Sequence, residues 1–115
     1  MGSVIEFKYT PEFLKSAKVL SKRYKSFSSD LKELLGEISQ NPDVGIDLGN
    51  GLRKLRMAIK SKGKGKSGGA RVITLTIVAD ELRSTITLIY VYDKSDISNI
   101  SNSKLSQILS DNDLK

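Results

Sequence analysis

The sequence predicts an α+β fold in which a hairpin of two helices packs on one face of a small, mainly antiparallel sheet. Two stretches within the first 41 residues repeat apolar residues at helical spacing, and later stretches are rich in strand-forming residues. A further strand opens the chain, so the expected order is β-α-α-β-β-β with a possible final helix. The length of 115 residues suits one domain spanning residues 1–115.

The first 42 residues predict one strand followed by two helices. Val4–Tyr9 begins apolar and then alternates, which is typical of a half-buried strand. Thr10 suits the N-cap position and a proline follows at the first helical position, so the first helix spans Pro11–Arg23. A second helix begins near Phe27, because leucine and isoleucine repeat there at helical spacing, and it ends before Pro42.

The rest of the chain predicts three strands joined by loops. Residues 43–51 carry three glycines and are expected to form a loop. The three strands are expected over residues 52–58, 71–79 and 82–92. A short helix is expected from about Ser103, and residues 111–115 are expected to fray. Because both long helices would cover one face of the sheet, the other face would be open for function.

The composition excludes several kinds of site. There is no cysteine, hence no disulfide and no thiolate nucleophile, and no histidine, the commonest general base and metal ligand. Any catalysis then falls to lysine, arginine, tyrosine, serine or carboxylates, and neither a metal nor a small-molecule cofactor is expected. No apolar run is long enough to span a membrane and no signal-peptide pattern is present, so we expect a cytoplasmic protein without membrane contact.

Positive charge is concentrated in one segment of the chain. The net charge is +6, and residues 52–71 contain no acidic residue. The eight cationic residues of that segment are Arg53, Lys54, Arg56, Lys60, Lys62, Lys64, Lys66 and Arg71. Clustered positive charge in a glycine-rich loop between two strands favours a polyanion, with nucleic acid as the leading candidate. The alternative is a solvated cationic surface that serves solubility alone.

The sequence Gly65-Lys66-Ser67 is similar to the end of a nucleotide-binding P-loop, but its context does not fit. A P-loop needs a glycine five residues earlier, where this chain has Lys60, and it needs a helix afterwards, where a strand is predicted. The sequence therefore argues against a nucleoside triphosphatase. The backbone amides of this loop could still approach a phosphate.

Five residues are the candidates for a site on the sheet. Lys54 and Arg56 alternate with apolar residues, so their side chains share one face of a strand. Arg71 enters the next strand. Arg71 and Ile73 share one face of that strand by alternation, so the Arg71 side chain is predicted to point toward the core, unless a bend after the two glycines changes its direction. Tyr92 and Lys94 are two residues apart at the end of the last strand, so their side chains share one face. Tyr92 suits either the edge of the core or the site itself.

Three segments carry a resemblance to a known protein family. They are Arg53-Lys54-Leu55-Arg56, residues 60–73 with the run Gly-Lys-Ser-Gly-Gly-Ala-Arg-Val, and residues 90–96. Together they resemble the RelE/HigB-type toxins of bacterial toxin–antitoxin modules over nearly the whole chain. The glycine-rich run, which lengthens the loop before the following strand, is typical of a HigB-like branch.

The resemblance implies the compact RelE fold and a metal-independent endonuclease that cuts mRNA in the ribosomal A site and is neutralised by a cognate antitoxin. It assigns the catalytic basic residues to Lys54, Arg56, Arg71 and Lys94. Related toxins also carry an important tyrosine in the C-terminal segment, where this chain has none after Tyr92. Either Tyr92 substitutes for that tyrosine or the role is absent.

RNA cleavage through the ribose 2′-OH needs a base, a stabiliser of negative charge and an acid. Neighbouring cations favour the neutral form of a lysine, so we assign the base to Lys54. Arg56 and Arg71 would clamp the phosphate, and Tyr92 or Lys94 would protonate the leaving oxygen. The residues expected to bind RNA or the ribosome are Arg53, Lys60, Lys62, Lys64 and Lys66.

Two other functions remain open from the sequence. A ParE-like toxin has the same fold and inhibits DNA gyrase by binding, without a nuclease site. A non-catalytic RNA-binding module would use the same positive charge and cut nothing. The lysine–arginine pair at positions 54 and 56 and the glycine-rich loop favour the nuclease.

Overall fold

A computed structural model describes residues 4–63 and 65–114 as an α+β fold with a five-stranded sheet, which confirms the predicted fold class. The elements are β1 (Val4–Tyr9), α1 (Pro11–Arg23), α2 (Phe27–Gln40), β2 (Ile46–Gly49), β3 (Leu52–Met57), a 3₁₀ helix (Lys60–Lys62), β4 (Ala70–Val78), β5 (Arg83–Asp93) and α3 (Asn102–Asp111). The strand order is β1-β5-β4-β3-β2, with β1 parallel to β5 and the other pairs antiparallel. Within the described residues, no helix is long and apolar enough to cross a membrane.

The first two helices begin and end close to where the sequence predicts. The Thr10 side chain accepts a hydrogen bond from the Phe13 N–H and caps α1, while its hydroxyl donates to the Ile89 carbonyl at 2.7 Å. One threonine therefore caps the helix and fixes its start against β5. Three residues separate α1 from α2, and α2 ends at Gln40, two residues before Pro42.

The segment 43–51, expected to be a loop, contains the edge strand β2, so that prediction is wrong. β2 pairs with β3 in an antiparallel hairpin whose turn is formed by Asn50 and Gly51. Both turn residues have positive φ values, 56° and 86°, as two-residue hairpins require. A Cβ at Gly51 would lie 2.6 Å from the Thr76 carbonyl oxygen, so this position also needs glycine for space.

The sheet is covered on both faces, which corrects the expectation that one face is open. On the first face, α1 and α2 bury Phe13, Leu20 and Phe27 against strand residues such as Leu55 and Val72. On the second face, Ile108 and Leu109 of α3 pack with residues of β4 and β5. The members of this second cluster are Ile73, Leu75, Ile89, Tyr92, Ile100, Ile108 and Leu109. A functional site on that face must therefore lie beside α3.

The C-terminal segment forms α3 and packs against the second cluster. Ser101 caps α3 by accepting a hydrogen bond from the Lys104 N–H, so the helix begins one residue before the predicted start. The Leu114 N–H donates to the Leu109 carbonyl at 2.8 Å, and the Leu114 side chain packs against the second cluster. The expected fraying of residues 111–115 stays a prediction, and position 115 lies outside the described residues.

Candidate active site

Strand pairing places four of the five predicted catalytic residues in two adjacent rows on the second face, and Lys94 follows the end of β5. Arg56 of β3 is opposite Arg71 of β4, which is opposite Tyr92 of β5. Lys54 is opposite Ile73 in the neighbouring row. Directly opposite residues project from the same face of a sheet, so Arg71 needs no bend to join Lys54 and Arg56. Its alternation with Ile73 places it at the edge of the α3-side core.

Five cationic residues line one groove of about 410 Å³ beside this edge. We call it the cationic groove. Four of the five predicted catalytic residues line it, together with one lysine of the glycine-rich loop. The basic lining residues are Lys54, Arg56, Lys66, Arg71 and Lys94. The other lining residues are Glu37, Val44, Gly45, Ile46 and Leu55.

Arg71 combines a position in the groove with a structural role. It is only 8% exposed, and its guanidinium donates to the carbonyls of Lys66, Ser67 and Ala70 at 3.1–3.2 Å. These bonds fix the end of the glycine-rich loop against β4. They use three of the five guanidinium N–H groups, so donors remain for an anion in the groove.

Arg56 is the most available cation of the groove. Its side chain is exposed on β3. Among residues 4–63 and 65–114, its guanidinium has neither a hydrogen bond nor an ion pair. A bidentate donor without an internal partner is suited to bind a phosphate.

Lys54 and Lys94 both donate to the loop between β5 and α3. The Lys54 ammonium donates to Asn99 Oδ1 at 3.1 Å, and the Lys94 ammonium donates to the Ser98 carbonyl at 2.8 Å. Neither lysine has a carboxylate partner within the described ranges. Both ammonium groups thus stay at the groove with their positive charge uncompensated. Asn99 was not anticipated from the sequence, where nothing distinguishes it from other polar loop residues.

Tyr92 lies behind the groove rather than in it. It is 4% exposed, and its hydroxyl donates to Asn99 Oδ1 at 3.4 Å. Burial raises the pKa of Tyr92 above its ordinary value. A hydrogen bond with the Ile100 backbone and the positive charge of Arg71 act on this pKa in the opposite direction. The phenol is therefore protonated at neutral pH.

The loop lysines expected to bind RNA form internal ion pairs. Lys60 contacts Glu33 at 2.8 Å and Lys66 contacts Glu37 at 3.3 Å, and both pairs are exposed to solvent. Lys62 has a side chain only 9% exposed, and its ammonium contacts Asp93 Oδ1 at 2.6 Å. Lys62 therefore faces inward, where the Asp93 carboxylate holds its ammonium. Lys64 lies outside the described residues.

Arg53 is not among the residues that line the groove. It alternates with Lys54 along β3 and projects from the first face. There its guanidinium donates to the Asp43 carbonyl at 2.8 Å and lies 3.8 Å from the Asp43 carboxylate. The structure thus places Arg53 away from the other candidate residues.

Asp93 is the centre of a buried polar network on the first face of the sheet. Its fully buried carboxylate accepts hydrogen bonds from Lys62, Arg23 and the Tyr24 hydroxyl, and from the Ser95 N–H. Burial alone would raise the pKa of Asp93, but the donors, led by Lys62, lower it well below its ordinary range. The network joins α1, the 3₁₀ helix and the end of β5.

Comparisons with known proteins identify the family of this fold. A family model described as the RelE toxin of the RelE/RelB toxin–antitoxin system matches residues 13–111. A double arginine-to-alanine mutant of the Escherichia coli toxin RelE, solved in the free state, has a similar fold, with a TM-score of 0.54 at 14% sequence identity. The match covers 97% of this chain and 98% of that chain. The HigB-like branch stays a prediction. The match of the family model over most of the chain shows that this protein belongs to the RelE toxin family of toxin–antitoxin systems.

Proposed function

We propose that the chain is a ribosome-dependent endoribonuclease that cuts translated mRNA in the A site without a catalytic metal. The observation that carries the proposal is the convergence of Lys54, Arg56, Arg71 and Lys94 on one groove. An RNA phosphate carries negative charge that increases during attack, and a group of fixed cations stabilises that charge. Membership of the RelE toxin family supports the same reading.

The reaction we propose begins with proton transfer from a ribose 2′-OH to the neutral amine of Lys54. The 2′-oxygen then forms a bond to the adjacent phosphorus. Arg56 and the remaining donors of Arg71 hold the non-bridging oxygens as negative charge builds on them. The bond from phosphorus to the 5′-oxygen breaks, and that oxygen takes a proton from an acid. The products are a 2′,3′-cyclic phosphate and a 5′-hydroxyl.

Lys94 is better placed than Tyr92 to act as that acid. Lys94 lines the groove with a partly exposed ammonium, whereas the Tyr92 hydroxyl is buried behind it and already donates to Asn99. A general acid must reach the leaving oxygen within hydrogen-bond distance. We therefore assign proton donation to Lys94, and a supporting role to Tyr92 through Asn99.

The exposed loop lysines are suited to hold the RNA backbone on either side of the reaction. The Lys60–Glu33 and Lys66–Glu37 pairs are solvent-exposed, and such pairs contribute little to the free energy of folding. A phosphate can therefore replace either glutamate at small cost. The ribosome supplies the mRNA in an extended form, and its own RNA offers further phosphates for the same lysines.

A cognate antitoxin is the expected partner, since the family is defined by paired toxins and antitoxins. We propose that an acidic segment of that partner binds the same positively charged residues that RNA would bind, and so covers the groove or its approach. An amphipathic helix laid on the surface is one common way for such a segment to bind.

The proposal is tested by inducing the chain in bacterial cells and mapping new RNA 5′ ends across the transcriptome. We expect ends that recur at one position of the codon and occur only in translated regions. Loss of DNA supercoiling without such ends would instead support a ParE-like inhibitor. Growth that continues without phased ends would support RNA binding alone, and either result would refute the nuclease.

A further inference from the structure

Asn99 lies in a loop that is anchored on both sides. The loop connects β5 to α3. On one side the Lys94 ammonium donates to the Ser98 carbonyl at 2.8 Å, and on the other the Ile100 side chain is buried in the second cluster. Ser101 then caps α3. Because its neighbours are fixed, the exposed Asn99 amide is held in one place beside the groove.

The Asn99 amide oxygen joins two residues that come from different strands. It accepts from the Lys54 ammonium at 3.1 Å and from the Tyr92 hydroxyl at 3.4 Å. An ammonium has three donors and no acceptor, so the amide must present its oxygen, not its nitrogen, to Lys54. The buried Tyr92 hydroxyl limits where that oxygen can lie. Asn99 thus links Lys54 to the buried Tyr92.

We propose that Asn99 is a positioning residue for Lys54 in RNA cleavage, an inference that rests on the proposed function. A neutral lysine amine keeps two N–H groups and one lone pair. When one N–H remains bonded to Asn99 Oδ1, the lone pair has fewer directions available. A lysine side chain otherwise has considerable rotamer freedom. The bond therefore favours the orientation in which the amine faces the groove.

An amide performs this task without cancelling charge. The two exposed loop lysines, Lys60 and Lys66, are paired with carboxylates, whereas Lys54 and Lys94 are held by neutral oxygen acceptors. A carboxylate in place of Asn99 would form an ion pair with Lys54 and hold its proton more firmly. It would also repel the phosphate. Neutral acceptors thus restrict Lys54 and Lys94 without cancelling their positive charge.

The test compares Asn99→Ala and Asn99→Asp with the wild-type chain in single-turnover cleavage of mRNA on purified ribosomes. We expect Asn99→Ala to lower the rate constant at saturating ribosomes by about tenfold or more, with half-saturation little changed, because misplacement of a reacting group slows the chemical step. Asn99→Asp should also move the rising limb of the pH–rate profile to higher pH. Asn102→Ala is the matched control, since Asn102 is exposed nearby and its side chain has no hydrogen bond within the described residues.

A second measurement follows Lys54 itself, independently of cleavage. Competitive acylation followed by mass spectrometry gives the reactivity of Lys54 relative to Lys8, an exposed residue on β1. Asn99→Ala removes one hydrogen bond of about 1 kcal/mol from Lys54, which corresponds to a roughly fivefold rise in the relative reactivity of Lys54. If the wild-type chain cleaves mRNA and Asn99→Ala has the same cleavage rate and the same Lys54 reactivity, the positioning role is refuted and the proposed function is not. A wild-type chain that cleaves nothing refutes the proposed function, and the positioning role with it.

Discussion

Lys54 and Arg56 are two residues apart on β3 and line the same groove, but the proposed reaction requires different chemistry from each. Lys54→Arg keeps the positive charge and removes the base, because a guanidinium does not lose its proton in proteins. We expect cleavage to fall by about a hundredfold at neutral pH while ribosome binding is retained. Single-turnover cleavage and co-sedimentation with ribosomes measure the two effects.

Arg83→Lys is a control for this exchange, because Arg83 begins β5 and is exposed at the other end of that strand from Tyr92. It should cleave like wild type. A Lys54→Arg chain that also cleaves like wild type would show that the lysine is not the base.

Asp93 contributes to stability through its buried network. Asp93→Asn leaves Lys62 without a buried counter-charge and should lower the free energy of unfolding by about 3 kcal/mol. Asp96→Asn is the control: its carboxylate, 52% exposed, contacts Arg23 at 2.7 Å, and its loss should cost at most about 1 kcal/mol. Urea denaturation of the three chains measures both values, and equal losses would contradict the network.

The stabilisation by Asp93 also has a defined pH dependence. Its pKa is lowered in the folded chain, so the contribution is fully present above the unfolded pKa of an aspartate, about 3.9, and is lost as pH falls toward the folded value. The difference in unfolding free energy between wild type and Asp93→Asn should stay constant from pH 5 to neutral pH, at about its full value. It should shrink below about pH 4. A difference that grows in acid would contradict this assignment.

The sequence predicted which residues share a face of the sheet better than it predicted the partners of their side chains. Alternation along β3 correctly placed Lys54 and Arg56 on one face. It did not reveal that Lys62 turns inward, because its partner Asp93 is 31 residues away and meets it only through tertiary packing. The same holds for Asn99, whose contact with Lys54 spans 45 residues. Such pairs have no local signature in a single sequence.

Glycine has opposite consequences in α2 and at the start of β4. Gly36 is exposed in α2, and a Cβ there would meet nothing within 4 Å. A Cβ at Gly69 would collide with the Met57 carbonyl oxygen and lie 3.1 Å from backbone atoms of Ala58 and Ile59. Gly36→Ala should therefore stabilise the fold by about 0.5–1 kcal/mol. Gly69→Ala should destabilise it by roughly 1–3 kcal/mol.

Gly69→Ala should also reduce cleavage, since the Gly69 carbonyl accepts from the Lys94 N–H at 3.0 Å and Arg71 follows two residues later. Thermal unfolding and cleavage assays on both variants measure these effects. A Gly69→Ala chain that is as stable and active as Gly36→Ala would contradict the close approach between Gly69 and the backbone of residues 57–59.

Local signals predicted most of the elements, and tertiary packing decided the rest. Caps and helical spacing placed α1 and α2 correctly. β2 was missed because it is only four residues long and lies among glycines, although the alternation of Ile46 and Leu48 with Asp47 and Gly49 and the Asn50-Gly51 pair are signals that could have revealed it. α3 was anticipated as a helix, but no sequence pattern indicated which sheet face it covers.

The distribution of charge over the whole molecule predicts how RNA binding responds to salt. If Lys66 contacts an RNA phosphate when its exposed pair with Glu37 opens, Lys66→Ala should weaken binding to single-stranded RNA without regard to sequence. The slope of log affinity against log salt concentration should fall by about 0.7. Fluorescence anisotropy across a salt series measures it, with Lys8→Ala as the control. An unchanged slope would place Lys66 away from the RNA.

The most direct test of the account is cleavage of a labelled mRNA on purified ribosomes with a defined codon in the A site. Wild type should cut within that codon and leave a 2′,3′-cyclic phosphate and a 5′-hydroxyl. Arg56→Ala should cut about a hundredfold more slowly. Both chains should show the same unfolding midpoint, because Arg56 is exposed. Catalysis by the cationic groove would be contradicted if Arg56→Ala cleaved at the wild-type rate. It would also be contradicted if the wild-type chain left the mRNA on the ribosome intact.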